Sequence, residues 1–148
     1  MVFIFSSPSL YTDYVKLPTA DDPIPPEIYS NPKFYPYFKD ALGAIDGSHI
    51  HFAPTAHSRP LYRNRKGFIS QNCLFACRFN LQFCYALTGW EGSATDARIW
   101  QDAINHGFVV PEGKYFLADA GFSACDQLLL PYRGVRYHLA EWGHASTW

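Results

Sequence analysis

The sequence has no Cys-x-x-Cys pair, no apolar run long enough to cross a bilayer, no internal repeat and no surplus of either charge. Each absence excludes something. The four cysteines are Cys73, Cys77, Cys84 and Cys125, and without a close pair they lack the ligand spacing of a zinc site. Cys73 and Cys77 are four apart in a segment that reads as strand, so they share a face with Phe75. Buried thiols in a reducing compartment are the expectation. The opening MVFIFSSPSL is apolar but short and has no basic stretch before it, so neither a signal peptide nor a membrane span is expected. That leaves an intracellular protein, not a secreted one. Lys and Arg number 12 and Asp and Glu 13, a formal net charge of −1. Nucleic acid would therefore have to be held by a local patch, not by overall charge.

What the chain does have is apolar and aromatic residues. At 48% hydrophobic and 18% aromatic over 148 residues, it can build one core and does not resemble a disordered chain. Residues 1–40 read as a Pro-rich arm. The stretch KLPTADDPIPPEIYSNPKFYPYFKD holds six of the 11 prolines, which bars ladder pairing and helix interiors. The body spans 41–148. There ALGAIDGSHIHF reads as a strand with Asp46 in its middle or at a turn. GFISQNCLFACRF and QFCYALTGW read as a strand pair, although Asn80-Leu81 is weak turn chemistry. Ser93, Thr95 and Asp96 are all good helix caps, Ile99, Trp100, Ala103 and Ile104 share one helical face, and Gly107 can end the helix. KYFLADAGF predicts a strand ending at Asp119. Gln127–Leu130 predicts a short helix stopped by Pro131, and Tyr137–Leu139 a last strand. The order β-β-β-α-β favours a mixed α/β sheet.

Three carboxylates stand at the edges of apolar elements: Asp46, Asp96 and Asp119. An unpaired charge there is costly, and convergence on a hard divalent cation such as Mg²⁺ would relieve the cost. The chemistry served would be phosphodiester cleavage, with cations activating a water and stabilising the leaving oxygen. Local explanations compete. Asp46-Gly47 is a type I′ hairpin dipeptide, Asp96 a helix cap, and Asp119 the start of an Asx turn.

The blocks GAIDGSHI, YRNRKGFISQN, GWEGSATDARI, VPEGKYFLADAGF and PYRGVRYHLAEW, in this order, resemble the Harbinger-type DDE superfamily endonucleases. The resemblance runs from about residue 14 onward. It implies an RNase H-like mixed sheet flanked by helices, metal-dependent DNA cleavage with Mg²⁺ or Mn²⁺, and a nuclear (or cytoplasmic) protein. It implies that Asp46, Asp96 and Asp119 bind the metal, with Asp46 and Asp119 as the catalytic core pair, and that a Myb-like DNA-binding protein is a partner. The departures are Ser48 for Thr, Thr95 for His, Ala97 for Ser and Phe122 for Tyr. Arg78 and Asn80 stand where relatives often have Asp. The family's Glu-Arg-x-Phe-Gly block is not found before Trp148, and Glu141 sits in the wrong block to replace it. No helix-turn-helix precedes the body. These departures predict a domain truncated at its C-terminus, little or no nuclease activity, and an uncovered sheet face prone to self-association. The alternatives are a non-catalytic DNA- or protein-binding domain and an unstable gene fragment.

The segment HSRPLYRNRK places Arg59, Arg63, Arg65 and Lys66 together with no acid, the pattern of a DNA phosphate-contacting loop or of a solvated hairpin loop. His49 and His51 alternate with Ile50. A transition-metal site there is the lesser reading, and a His49–carboxylate hydrogen bond the greater. Glu91 reads as a turn acid facing solvent, with approach to the metal as the lesser reading, and the four tryptophans as packing residues.

Overall fold

The computed structural model describes residue 11 and residues 13–132. A short helix, α1 (Pro26–Tyr29), is followed by β1 (Ala41–His51), β2 (Ser70–Cys77), β3 (Phe83–Glu91), α2 (Asp96–Asn105), β4 (Tyr115–Leu117) and β5 (Leu128–Leu129). The strands form one sheet in the order β3-β2-β1-β4-β5. β1, β2 and β3 are an antiparallel meander. After β3 the chain crosses over through α2, and β4 then lies parallel to β1, with β5 parallel to β4. This is a mixed α/β sheet, the arrangement expected from the sequence and compatible with an RNase H-like fold.

Local chemistry accounts for the helix. Thr95 is the cap, its hydroxyl accepting from the Arg98 N–H, so Asp96 is the first helical residue and not the cap. Ile99, Trp100 and Ala103 are buried on the face that meets the sheet. Gly107 follows the C-terminus with φ +93°, a left-handed conformation that glycine adopts without penalty. The core gathers Leu42, Ile45, Leu74, Ile99, Trp100, Phe108 and Phe116, among others. Phe108 is its hub, with the rings of Tyr85, Trp100 and Phe116 edge-on at 4.7, 5.0 and 5.3 Å. Buried rings of this kind contribute about 1.5–3 kcal/mol each.

The β2–β3 pair forms as read, around Asn80-Leu81, where Leu81 takes φ +65° in place of the usual glycine. The expected helix at Gln127–Leu130 is instead strand β5. Phe116 N–H donates to the Gln127 carbonyl and Ala118 N–H to that of Leu129, while Leu128 is buried in the core. Pairing an open sheet edge outweighed the helical preference of leucine. The Tyr137–Leu139 strand lies outside the described residues.

Described parts of the N-terminal arm rest on the body. Ile28 is buried, Leu17 packs against the core, and Asp22 pairs with Arg78 at 2.6 Å. The Thr19 hydroxyl, which donates to Asp22 Oδ1 at 2.7 Å, and then the Arg78 guanidinium hold the Asp22 carboxyl below the usual carboxylate range. All four cysteines are free thiols. Burial pushes the thiol of Cys84 up to about 11 and that of Cys73 upward. Among the described residues no helix is long and apolar enough to cross a membrane.

Candidate functional site

Asp46 is neither a hairpin tip nor a turn. It sits mid-strand in β1, paired with Phe75 of β2. Its neighbours Ile45 and Gly47 pair with Ala76 and Leu74. Side chains alternate along a strand, so Ile45, Gly47, His49 and His51 face the side covered by α2. Asp46, Ser48 and Ile50 face the other side. β1 and β4 run in parallel with Ala44 beside Leu117. Asp119, two residues past Leu117, therefore emerges beside Asp46 at the same end of the sheet.

The electrostatics agree with this placement. The Asp46 carboxyl is raised above its usual range, first by partial desolvation and then by the charges of Asp119 and Asp96. The Gly47 N–H, 2.8 Å from Asp46 Oδ1, works in the opposite direction. Asp119 does form the Asx turn foreseen as its local role, accepting from the Gly121 N–H at 2.8 Å. The turn aims the carboxylate; it does not use up both oxygens.

Asp96 reaches the same region from the α2 side, through two glycines. A Cβ on Gly47 would lie 2.1 Å from Asp96 Oδ1, so only glycine leaves room for this carboxylate. A Cβ on Gly121 would lie 2.9 Å from Asp119 Oδ1 and 3.1 Å from Asp96 Oδ2. The carboxylates of Asp96 and Asp119 are thus within about 6 Å of each other across the space that side chain would fill. Three carboxylates share one end of the sheet, two on one face and one behind Gly47. Among the described residues, however, no three His, Cys, Asp or Glu side chains converge closely enough to grip one metal ion.

Asn72 carries no role in the sequence reading, yet it organises this end of the sheet. It is 2% exposed, on the α2 face of β2. Its amide donates to Asp96 Oδ1 and to the Ala94 carbonyl, each at 3.1 Å. Two acceptors fix which way the amide points, because only the NH₂ can serve both. Its Oδ1 is left buried with no partner. The available signal was a polar residue on the buried face of an otherwise apolar strand. Gly47 and Gly121 were similarly legible only as companions of their aspartates.

A cavity of about 200 Å³ opens beside Asp96, lined by His49, Arg65, Lys66, Asn72, Asp96 and Gly121 among others. The basic loop expected near the carboxylates therefore does border one of them. Arg59, Arg63, Arg65 and Lys66 are all exposed. Arg63 Nη1 donates to the Gly67 carbonyl at 2.9 Å. His49 Nδ1 lies 3.0 Å from Ser70 Oγ, so its partner is a hydroxyl and not the carboxylate expected, and His51 stacks on Phe68 at 4.9 Å. Glu91 pairs with Gln71 at the end of β3 and is half-buried rather than turned to solvent. Trp100 is core, while Trp90 donates to Asp102 Oδ2 at 2.8 Å under the Arg98 guanidinium. Trp142 and Trp148 lie outside the described residues.

The donor set suits a hard divalent cation. It is all carboxylate oxygen, with the buried Asn72 Oδ1 unpartnered behind it and the Gly121 cradle open between two acids. None of the ion pairs among the described residues neutralises the three aspartates.

Such a mixed sheet, with Asp46 midway along β1 and Asp119 just past the end of its parallel neighbour β4, is that of an α/β domain of RNase H-like type. A model of the DDE superfamily endonuclease family matches residues 45–145. The chain belongs to that family. No curated protein and no solved structure gives a significant match.

Proposed function

We propose that the domain is a Harbinger-type, transposase-derived DNA endonuclease domain whose Asp46, Asp96 and Asp119 hold Mg²⁺ or Mn²⁺. Asp46 and Asp119 are its catalytic pair. The observation that carries this reading is the position of Asp119 beside Asp46, just past the end of the parallel neighbour strand β4, where its charge helps to raise the Asp46 carboxyl. A bound divalent cation would supply Lewis acidity and a metal-activated water for attack on a phosphodiester. The chain's own contributions are to hold the carboxylates and to steer the polyanion. The Gly47 and Gly121 amides fix the orientations of Asp46 and Asp119. Asn72 fixes Asp96 as a positioning residue. Arg59, Arg63, Arg65 and Lys66 contact DNA phosphates, each such contact adding to a salt-dependent affinity.

Weak or absent cleavage of DNA by this polypeptide is part of that reading. A Myb-like DNA-binding protein as partner, self-association through the sheet face and a nuclear site of action belong to the same reading. The experiment is a titration of the chain with Mn²⁺, followed both by thermal midpoint and by nicking of supercoiled DNA. A midpoint that rises with Mn²⁺ in the native chain, and not in Asp46→Asn, supports the site. Absence of any cation-dependent shift sinks it. Strong Mn²⁺-dependent nicking abolished by Asp46→Asn would overturn the expected inactivity while keeping the site.

That no three ligands converge tightly among the described residues favours one second reading, a DNA-binding domain that no longer cleaves. DNA affinity lost in Arg63→Glu/Arg65→Glu, with no response to Mn²⁺, would select it.

A further inference from the structure

From Gly47 to Trp90 the sequence contains no Asp or Glu, yet it contains Arg59, Arg63, Arg65, Lys66 and Arg78. Arg78 is taken by Asp22. The other four lie in the loop that joins β1 to β2. This loop is built, not slack. Asn64, buried at its base, accepts from the Lys66 and Phe68 N–H groups and donates to Ser70 Oγ. Arg63 and Ile69 form a bridge across it.

The same lobe displays apolar surface. Ile50 is 49% and Phe52 37% exposed, and Phe52 continues the β1 pairing through its N–H to the Ile69 carbonyl. Alternation sets both on the Asp46 face. The Tyr62 ring lies 4.9 Å from that of Phe52, tilted at 47°. The ledge begins four residues beyond Asp46 and ends about 20 Å from it at the extended-strand rise.

Duplex DNA presents phosphates outward and hides its base faces, so cations alone suffice to hold it. Open rings and aliphatic surface next to a loop rich in cations match a strand whose bases are unstacked and whose phosphates follow a positive groove. We propose that Ile50, Phe52 and Tyr62 form a ledge for the unpaired bases of single-stranded DNA, the flank of the strand running away from Asp46. Arg59, Arg63, Arg65 and Lys66 would take its phosphates. The proposal rests on the DNA-contact reading of that loop and adds the form of DNA that it prefers.

The test is fluorescence anisotropy with the full chain in EDTA, using a labelled mixed-sequence single-stranded DNA and the matching blunt duplex. The single strand binds more tightly than the duplex. Phe52→Ala weakens single-strand binding by about 5-fold or more, the loss of one stacked base, and leaves duplex binding unchanged. Phe52→Tyr keeps the affinity. Arg63→Glu/Arg65→Glu weakens both and lowers the salt dependence. A duplex preference, or a Phe52→Ala variant with an unchanged thermal midpoint that binds both forms as the native chain does, overturns the ledge. So does concentration-dependent dimerisation that Phe52→Ala abolishes, because the ledge would then be covered by a second copy. Binding that ignores Arg63→Glu/Arg65→Glu removes the DNA-contact reading itself, a distinct failure.

Discussion

β1 has two halves with opposite fates. From Ala41 to Ile45 it is almost wholly buried, while from Asp46 to His51 it is mostly exposed. Both halves are hydrogen-bonded in the sheet; the register with β2 continues from Ala44 to His51 without a break. Pairing therefore does not distinguish them, and covering does. The inner half spends its side chains on Leu74, Ile99 and Phe116. The outer half has its backbone satisfied by β2 and its side chains mostly exposed, which is how a rigid element can present charge and aromatic surface to a ligand.

The sharpest way to break this comparison is to truncate one isoleucine in each half. Ile45→Ala should cost about 2–5 kcal/mol, the range for a buried aliphatic, whereas Ile50→Ala should stay within about 0.5 kcal/mol. Urea unfolding of the two variants measures both, and equal losses would mean that the outer half is covered after all. Next in size is Asn72→Leu. It strips the Ala94 carbonyl and Asp96 Oδ1 of a buried donor, a loss of about 1–3 kcal/mol per group left unpaired, read by the same denaturation. It should also blunt the Mn²⁺-dependent rise in midpoint.

Gly47→Ala tests the junction of the halves. Its new Cβ would meet Asp96 Oδ1 at 2.1 Å, so the carboxylate must swing away. Overpacking of this kind costs about 1–3 kcal/mol, and Mn²⁺ stabilisation should fall with it. The smallest effect, and one of opposite sign, belongs to Asp46→Asn. The folded Asp46 carboxyl is raised above its unfolded value. Folding is therefore unpenalised at acid pH and is opposed once pH exceeds the carboxylate range. In chelator, Asp46→Asn should have the higher thermal midpoint at pH 7, and the gain should fade as pH falls through the raised Asp46 range and be gone below about 4, the ordinary carboxylate pKa. A lower midpoint at pH 7 would show that Asp46 is already neutralised.

Much of this was written locally. The Thr95 cap, the Ile99–Trp100–Ala103 stripe and the Gly107 stop need only neighbours in sequence, so α2 was legible. The β2–β3 hairpin was legible from alternation, in spite of a Leu at a position that turns usually give to glycine. β5 was not, because Leu128 is a strand residue only by virtue of Phe116, its distant partner. The site divides the same way. Asp46, Asp96 and Asp119 were visible as acids in apolar settings and through the family blocks. That Asp46 and Asp96 approach from opposite faces, with Gly47 between them, depends on the β1–β2 register and on where α2 lands. Asn72 was hidden for the same reason, since its partners Ala94 and Asp96 lie across the crossover.

The alternation of Ile45 and Asp46 also bears on how faithfully the chain folds. A slip of one residue between β1 and β2 would turn Asp46 into the space now filled by Ile45, against Ile99 and Trp100. It would strand Ile45 in water and bury an unpaired charge, an error penalised twice. The acid proposed to hold a cation is thus also a proofreading mark for the central strand. It rejects the wrong pairing before any ligand is present.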